Sequence, residues 1–153
     1  MGPQFGLSPG CGPSRDDAFR LTNGAYKHEE DGFFQGVGLR DSWFFASQGS
    51  QPDRALVYLD DVSAAGSSTG RGTLIVFAVR EGHPVKVQEL TFDSQASGTG
   101  VKFDPATRKL VVAARSNDDS PHCCPTSVDV VTFAWTPKGF VQMGRRVVPI
   151  AKR

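Results

Sequence analysis

Long hydrophobic runs are missing from this chain. The longest, Leu74-Ile75-Val76-Phe77-Ala78-Val79, falls far short of the ~18 apolar residues of a membrane helix, so no transmembrane segment is expected. The opening residues, MGPQFGLSPGCGPSR, lack the apolar segment of a secretory signal. An excess of one charge is missing too. Seventeen basic against sixteen acidic side chains leave a formal +1, which offers no footprint for nucleic acid or an anionic membrane. Arg145-Arg146 and Lys152-Arg153 are too small to supply one. Histidine is scarce, at three, and His28 and His83 are isolated surface residues rather than catalysts by this reading. No catalytic triad signature, phosphate-binding glycine loop or EF-hand loop is present, and no cofactor is implied.

What is present is bulk for a core and punctuation for turns. Eleven phenylalanines argue against a disordered tail, while 17 Gly and 10 Pro point to many turns. A length of 153 residues suits one domain. Residues 1–14, rich in Gly and Pro, read as a flexible arm or a remnant of expression, and 15–153 as a single β-rich domain. One short helix is expected near the N-terminus, with Ser14 as its cap and Asn23-Gly24 as its stop.

Beyond that point the signals favour strands. Ala25 to His28, Phe33 to Leu39 and Ser42 to Ala46 are candidates, the last two flanking a turn at Arg40-Asp41. Glu29-Glu30-Asp31 reads as a charged turn. Leu56 to Leu59 is a short apolar strand. Leu74 to Val79 is apolar on both faces, which suits a central strand. Glu81-Gly82 reads as a hairpin turn. In the returning strand Val85 and Val87 share one phase and Leu90 and Phe92 the other. A period of two cannot accommodate both, so a β-bulge is predicted near Gln88-Glu89. Asp104 to Thr107 turns the chain into Leu110 to Ala114. Val131, Phe133 and Trp135 line one face of a late strand, with Val128, Val130 and Ala134 on the other. Thr136-Pro137-Lys138-Gly139 then turns it into Phe140 to Val148. Trp43, Phe44 and Phe45 supply core and flank. About eight strands joined by short turns predict a mainly β fold, an antiparallel sheet closed as a sandwich or barrel-like form. No internal repeat is evident.

Two connections are long, Asp60 to Gly72 and Ser116 to Ser127, and a site on a rigid β scaffold belongs in such loops. The second holds Cys123-Cys124. Three cysteines cannot all pair within one chain. Adjacent Cα atoms lie about 3.8 Å apart, shorter than ordinary disulfides prefer, so a Cys123–Cys124 bond is feasible but strained. Cys11 bonded to either would close a loop most of the chain long, worth roughly 4–5 kcal/mol in chain-entropy terms. The readings left open are a structural disulfide, a redox pair, free thiols, and a soft-metal site with His122. Asp60-Asp61 and Asp118-Asp119 fit solvated turns better than calcium, which needs more oxygens. The binding-loop candidates are Ser67, Ser68, Thr69, Arg71, Asp118, Asp119 and His122.

The string Asp118-Asp119-Ser120-Pro121-His122-Cys123-Cys124-Pro125-Thr126, followed by Val130-Val131-Thr132-Phe133-Ala134-Trp135, resembles the ending of small exported bacterial domains of the LppP/LprE lipoprotein family. Gly66 to Gly70 leading into Leu74 to Phe77, and Leu21-Thr22-Asn23-Gly24-Ala25-Tyr26, are similar to segments of the same group. Its members carry an acidic loop before the strand at Ala55 to Leu59. Here that loop, Ser47 to Asp53, keeps one acid. The resemblance implies export (periplasmic, secreted or lipid-anchored, with Cys11 a candidate for lipidation) and a cysteine pair in an oxidising compartment. It implies no reaction. The expectation is a non-enzymatic domain binding a protein, a cell-envelope component or a small ligand. One variant is an inhibitor of a secreted hydrolase, inserting Ser63 to Arg71. The alternative is a thiol-dependent redox enzyme or sensor centred on Cys123-Cys124.

Overall fold

Alternating apolar residues interrupted by tight turns give nine strands in a computed structural model, which describes residues 22–30, 33–63, 71–94, 99–116 and 126–150. They are β1 (Ala25–Glu30), β2 (Phe33–Phe45), β3 (Arg54–Ser63), β4 (Arg71–Arg80), β5 (His83–Asp93), β6 (Gly100–Asp104), β7 (Lys109–Arg115), β8 (Ser127–Thr136) and β9 (Gly139–Pro149). All pairings are antiparallel. β1 to β5 form one five-stranded sheet in chain order and β6 to β9 a four-stranded sheet, also in chain order. No helix occurs among the described residues. The expected helix from Ser14 and the arm at 1–14 lie outside them.

The two sheets stack face to face around one core. Leu56, Leu74 and Val76 enter it from the first sheet, Leu110 and Val112 from the second. At one end the core is aromatic. The Phe45 ring packs edge-on against Phe103 (centroids 5.2 Å apart) and Trp135 (5.0 Å) of the opposing sheet. Trp135 and Phe140 make a further edge contact at 5.0 Å. Such pairs each add about 0.5–1.5 kcal/mol beyond the area they bury. Val131, Phe133 and Trp135 share the face toward the first sheet, as their spacing predicts.

Each hairpin has a local cause. Glu81 (φ 51°) and Gly82 (φ 76°) both take left-handed conformations, which matches the twist of the flanking strands. Asp104 shapes the β6–β7 turn, accepting hydrogen bonds from the Ala106 N–H (3.0 Å) and the Thr107 hydroxyl (2.8 Å). These bonds, Thr107's first, hold its carboxyl below the ordinary carboxylate range. The predicted bulge is present one residue earlier than placed. Val76 pairs with Gln88 and Phe77 with Lys86, leaving Val87 as the extra residue. Val85 and Leu90 can therefore both face the core despite their opposite phases.

Three readings are corrected. Arg40-Asp41 is no turn: β2 runs unbroken through it and Arg40 is the extra residue of a bulge, Leu39 pairing with Leu59 and Asp41 with Tyr58. The polar pair is absorbed locally, because the Asp41 carboxylate takes the Ser42 N–H at 2.8 Å. Asn23-Gly24 is described only as a turn, the helix expected before it lying outside the described residues. With φ values of 53° and 76° it is a two-residue turn, closed by reciprocal Thr22–Ala25 backbone bonds of 2.9 and 3.1 Å. Glu29 and Glu30 lie within β1, not a turn. Asp60 and Asp61 lie within β3, and the first long connection runs only from 64 to 70.

Candidate functional site

The sandwich has two unlike ends. One carries three tight turns and the β2–β3 loop of residues 46–53, and is closed by a side-chain latch. In the β2–β3 loop the Asp53 carboxylate accepts hydrogen bonds from the Ser47 N–H (2.7 Å) and hydroxyl (2.6 Å). These, aided by the Arg54 cation, hold the Asp53 carboxyl below its usual range. The Ser47 carbonyl, so positioned, accepts from Trp135 Nε1 (3.3 Å) and Arg108 Nη1 (3.1 Å) of the second sheet. The one acid kept in this loop thus holds the loop itself.

The opposite end carries the connections that hold residues 64–70 and 117–125. Those between β3 and β4 and between β7 and β8 leave from it side by side. Arg71, first residue of β4, pairs with Asp93, last residue of β5. The Asp93 carboxylate lies 3.8 Å from Arg115 Nη1, at the end of β7. Arg115 is 7% exposed in its side chain, so this cation sits largely out of water where the two connections begin.

Further charges ring this base. Asp60, whose side chain is 13% exposed, lies 3.3 Å from Arg40 Nη2 and accepts a 2.7 Å hydrogen bond from the Ser94 hydroxyl. Asp129 accepts from the Ser116 hydroxyl at 3.0 Å and pairs with Arg145. The half-buried phenol of Tyr58 packs against Phe92. Burial, then the Asp60 charge, pushes its pKa up, and Arg40 opposes that. The Tyr58 hydroxyl therefore stays protonated at neutral pH.

Backbone bonds fix the loop bases. Ser116 N–H donates to the Ser127 carbonyl (3.4 Å) and Ile150 N–H to the Thr126 carbonyl (2.8 Å), clamping the β7–β8 connection from both neighbours. The carboxylates of Asp60, Asp93 and Asp129 each face a cation. This arrangement is suited to holding loops and offering hydrogen bonds rather than to abstracting a proton. Among the described residues no group of three His, Cys, Asp or Glu side chains could hold a metal ion.

Of the sequence candidates, Arg71 is placed: it is exposed, at the start of a strand rather than within a loop. Ser67, Ser68, Thr69, Asp118, Asp119, His122, Cys123, Cys124 and Cys11 lie outside the described residues. The stretches 64–70 and 117–125 nonetheless begin and end at strand termini that share this end. Sequence reading missed Asp93, Arg115 and Asp129. Each is a lone charge at or near a strand end, and no spacing links them. Compared with known protein families, curated proteins and solved structures, the chain matches none.

Proposed function

We propose that this protein is a non-enzymatic binding domain of the exported bacterial kind, recognising a protein, an envelope component or a small ligand through the end that carries its long connections. The Arg71–Asp93–Arg115 junction supports this reading best, because it ties the bases of two polar connections together on a rigid β frame. The engaged carboxylates around it support binding over catalysis. An inhibitor that inserts Ser63 to Arg71 into a secreted hydrolase is a special case of the same reading.

The test exposes the immobilised chain to peptidoglycan, envelope polysaccharide, lipid vesicles and a panel of secreted hydrolases. Saturable binding lost in Arg71→Glu and kept in Lys102→Glu, at an exposed site on β6, is the expected result. Absence of binding across the panel overturns the proposal. So does catalytic turnover that disappears in Cys123→Ser. Intact mass of natively alkylated protein, with and without reduction, adds a second check. A disulfide accords with export, whereas readily labelled thiols at Cys123 and Cys124 favour the redox alternative.

A further inference from the structure

An open sheet ends in strands whose outer backbone groups have no partner strand. Of the four edge strands among the described residues, β1, β5, β6 and β9, only β9 carries no acidic residue. β1 ends in Glu29-Glu30, β5 holds Glu89 and Asp93, and β6 ends in Asp104. β9 instead holds Arg145-Arg146. It is 11 residues long, against 5 for β6, the other edge of the same sheet.

The direction of its backbone groups follows from two contacts. Along a strand these groups alternate between the two sides. Gln88 takes both backbone groups of Phe140, so those point away from β8. Ile150 N–H donates to the Thr126 carbonyl, so the groups of Ile150 point toward the β8 side. Phe140 and Ile150 share a parity yet differ in direction, because Met143 is an extra residue between the pairs Phe133–Gln142 and Thr132–Gly144. Before the bulge, Gln142 therefore directs its backbone outward. Beyond it, Arg145 and Val147 do the same. The amide of Gln88 already stands in for a strand residue at Phe140. From residue 141 to residue 147 every position is exposed, on both faces of the sheet.

Register also places the side chains. Arg145 is opposite Val131, on the face toward the first sheet, and Arg146 is opposite Val130, on the outward face. Val147, opposite Asp129, returns to the first face and is 56% exposed. Arg145 pairs with Asp129 yet remains 54% exposed. The edge thus offers one cation on each face and an apolar side chain beside them. A second β9 laid alongside brings like charges together, which is unfavourable, whereas an acidic strand is drawn to the same residues.

We infer that the free edge of β9 binds an extended acidic segment of another protein, which adds a fifth strand to the second sheet. Main-chain hydrogen bonds to Gln142, Arg145 and Val147 supply affinity, and side chains supply specificity. Two adjacent acidic residues, one on each face, match Arg145 and Arg146, with a β-branched residue beside Val147. This surface does not involve the connections at 64–70 and 117–125, so it stands or falls separately from the function proposed above.

Fluorescence anisotropy on the full chain tests it with three labelled peptides. One is Thr-Val-Glu-Glu-Val-Thr, one has both Glu replaced by Lys, and one is the acidic peptide N-methylated throughout. The acidic peptide is expected to bind saturably. The lysine peptide is not, and neither is the N-methylated one, which keeps the charge and loses every backbone donor. Val147→Pro removes an outward N–H, leaves the bonds to β8 in place and is expected to abolish binding, with circular dichroism to verify its fold. Arg146→Glu keeps every backbone group and serves if that variant loses its strand signal; it is expected to weaken binding by roughly tenfold or more. Lys102→Glu, the same charge reversal on β6, is expected to bind like wild type. No binding of the acidic peptide through the millimolar range overturns the inference. So does equal binding of the N-methylated peptide, or Arg146→Glu and Lys102→Glu binding alike. Sedimentation showing wild-type dimers that Val147→Pro dissolves gives the edge to a second copy and overturns it as well.

Discussion

The side-chain amide of Gln88 takes both backbone groups of Phe140. Its Nε2 donates to the Phe140 carbonyl at 2.9 Å and its Oε1 accepts the Phe140 N–H at 2.7 Å. An amide can do this because it carries a donor and an acceptor side by side, like a strand backbone. The bulge at Val87 is what turns Gln88 inward to meet Phe140. Replacing Gln88 with Leu is expected to strand both groups and destabilise the fold by about 1–3 kcal/mol. A urea midpoint lowered accordingly, with faster amide exchange at Phe140, is the predicted outcome. Unchanged exchange at Phe140 would contradict the clamp.

Gly72 pairs with Phe92 across β4 and β5, and the ring lies over the glycine. A Cβ added at Gly72 would come within 2.3 Å of Phe92 Cζ. Gly72→Ala is therefore expected to cost roughly 1–3 kcal/mol through overpacking. Phe92→Leu in the same chain should recover part of the loss. A thermal melt of both variants reads the outcome, and a wild-type midpoint for Gly72→Ala would refute it.

Glu81 holds a left-handed conformation that a residue with a Cβ adopts reluctantly. Asn tolerates that region and suits the first position of such a turn. Glu81→Asn is expected to raise stability by about 0.5–1 kcal/mol, seen as a higher urea midpoint with an unchanged slope. A lower midpoint would mean that Glu81 makes a contact worth more than its backbone strain.

Asp53 is depressed in the folded state by the Ser47 hydrogen bonds, aided by Arg54. A group with a lowered folded pKa contributes stability above its unfolded pKa, and that contribution drains away as pH falls through the folded value. Wild type is accordingly expected to exceed Asp53→Asn in urea midpoint at pH 7. The gap should close from about pH 4 downward. A pH-independent gap would assign the effect to packing.

Much of the fold was legible because it is written in short-range alternation. The clash of phase between Val85 and Leu90 located a bulge without any tertiary information. Glu81-Gly82 and Thr136 to Gly139 marked their turns by composition. Arg40-Asp41 misled because a polar pair marks a turn and a bulge equally well, and only the partner strand β3 decides between them. Asn23-Gly24 forms a two-residue turn closed between Thr22 and Ala25, a pair whose composition suits a hairpin turn as well as a helix stop. The ion pairs at the open end were illegible for a different reason. Asp93 and Arg115 are brought together by the stacking of two sheets, and nothing local to either residue encodes that.

Pairing in chain order has a consequence for how the protein reaches its folded state. Among the described residues every strand hydrogen-bonds only to strands adjacent in the chain. Each hairpin can zip as soon as its second half emerges, with little loop-closure entropy to overcome. The first sheet has all its strand partners by Asp93, before any of β6 is needed. A chain leaving a ribosome or a narrow pore N-terminus first could therefore assemble one layer completely and use it as the template on which the other condenses.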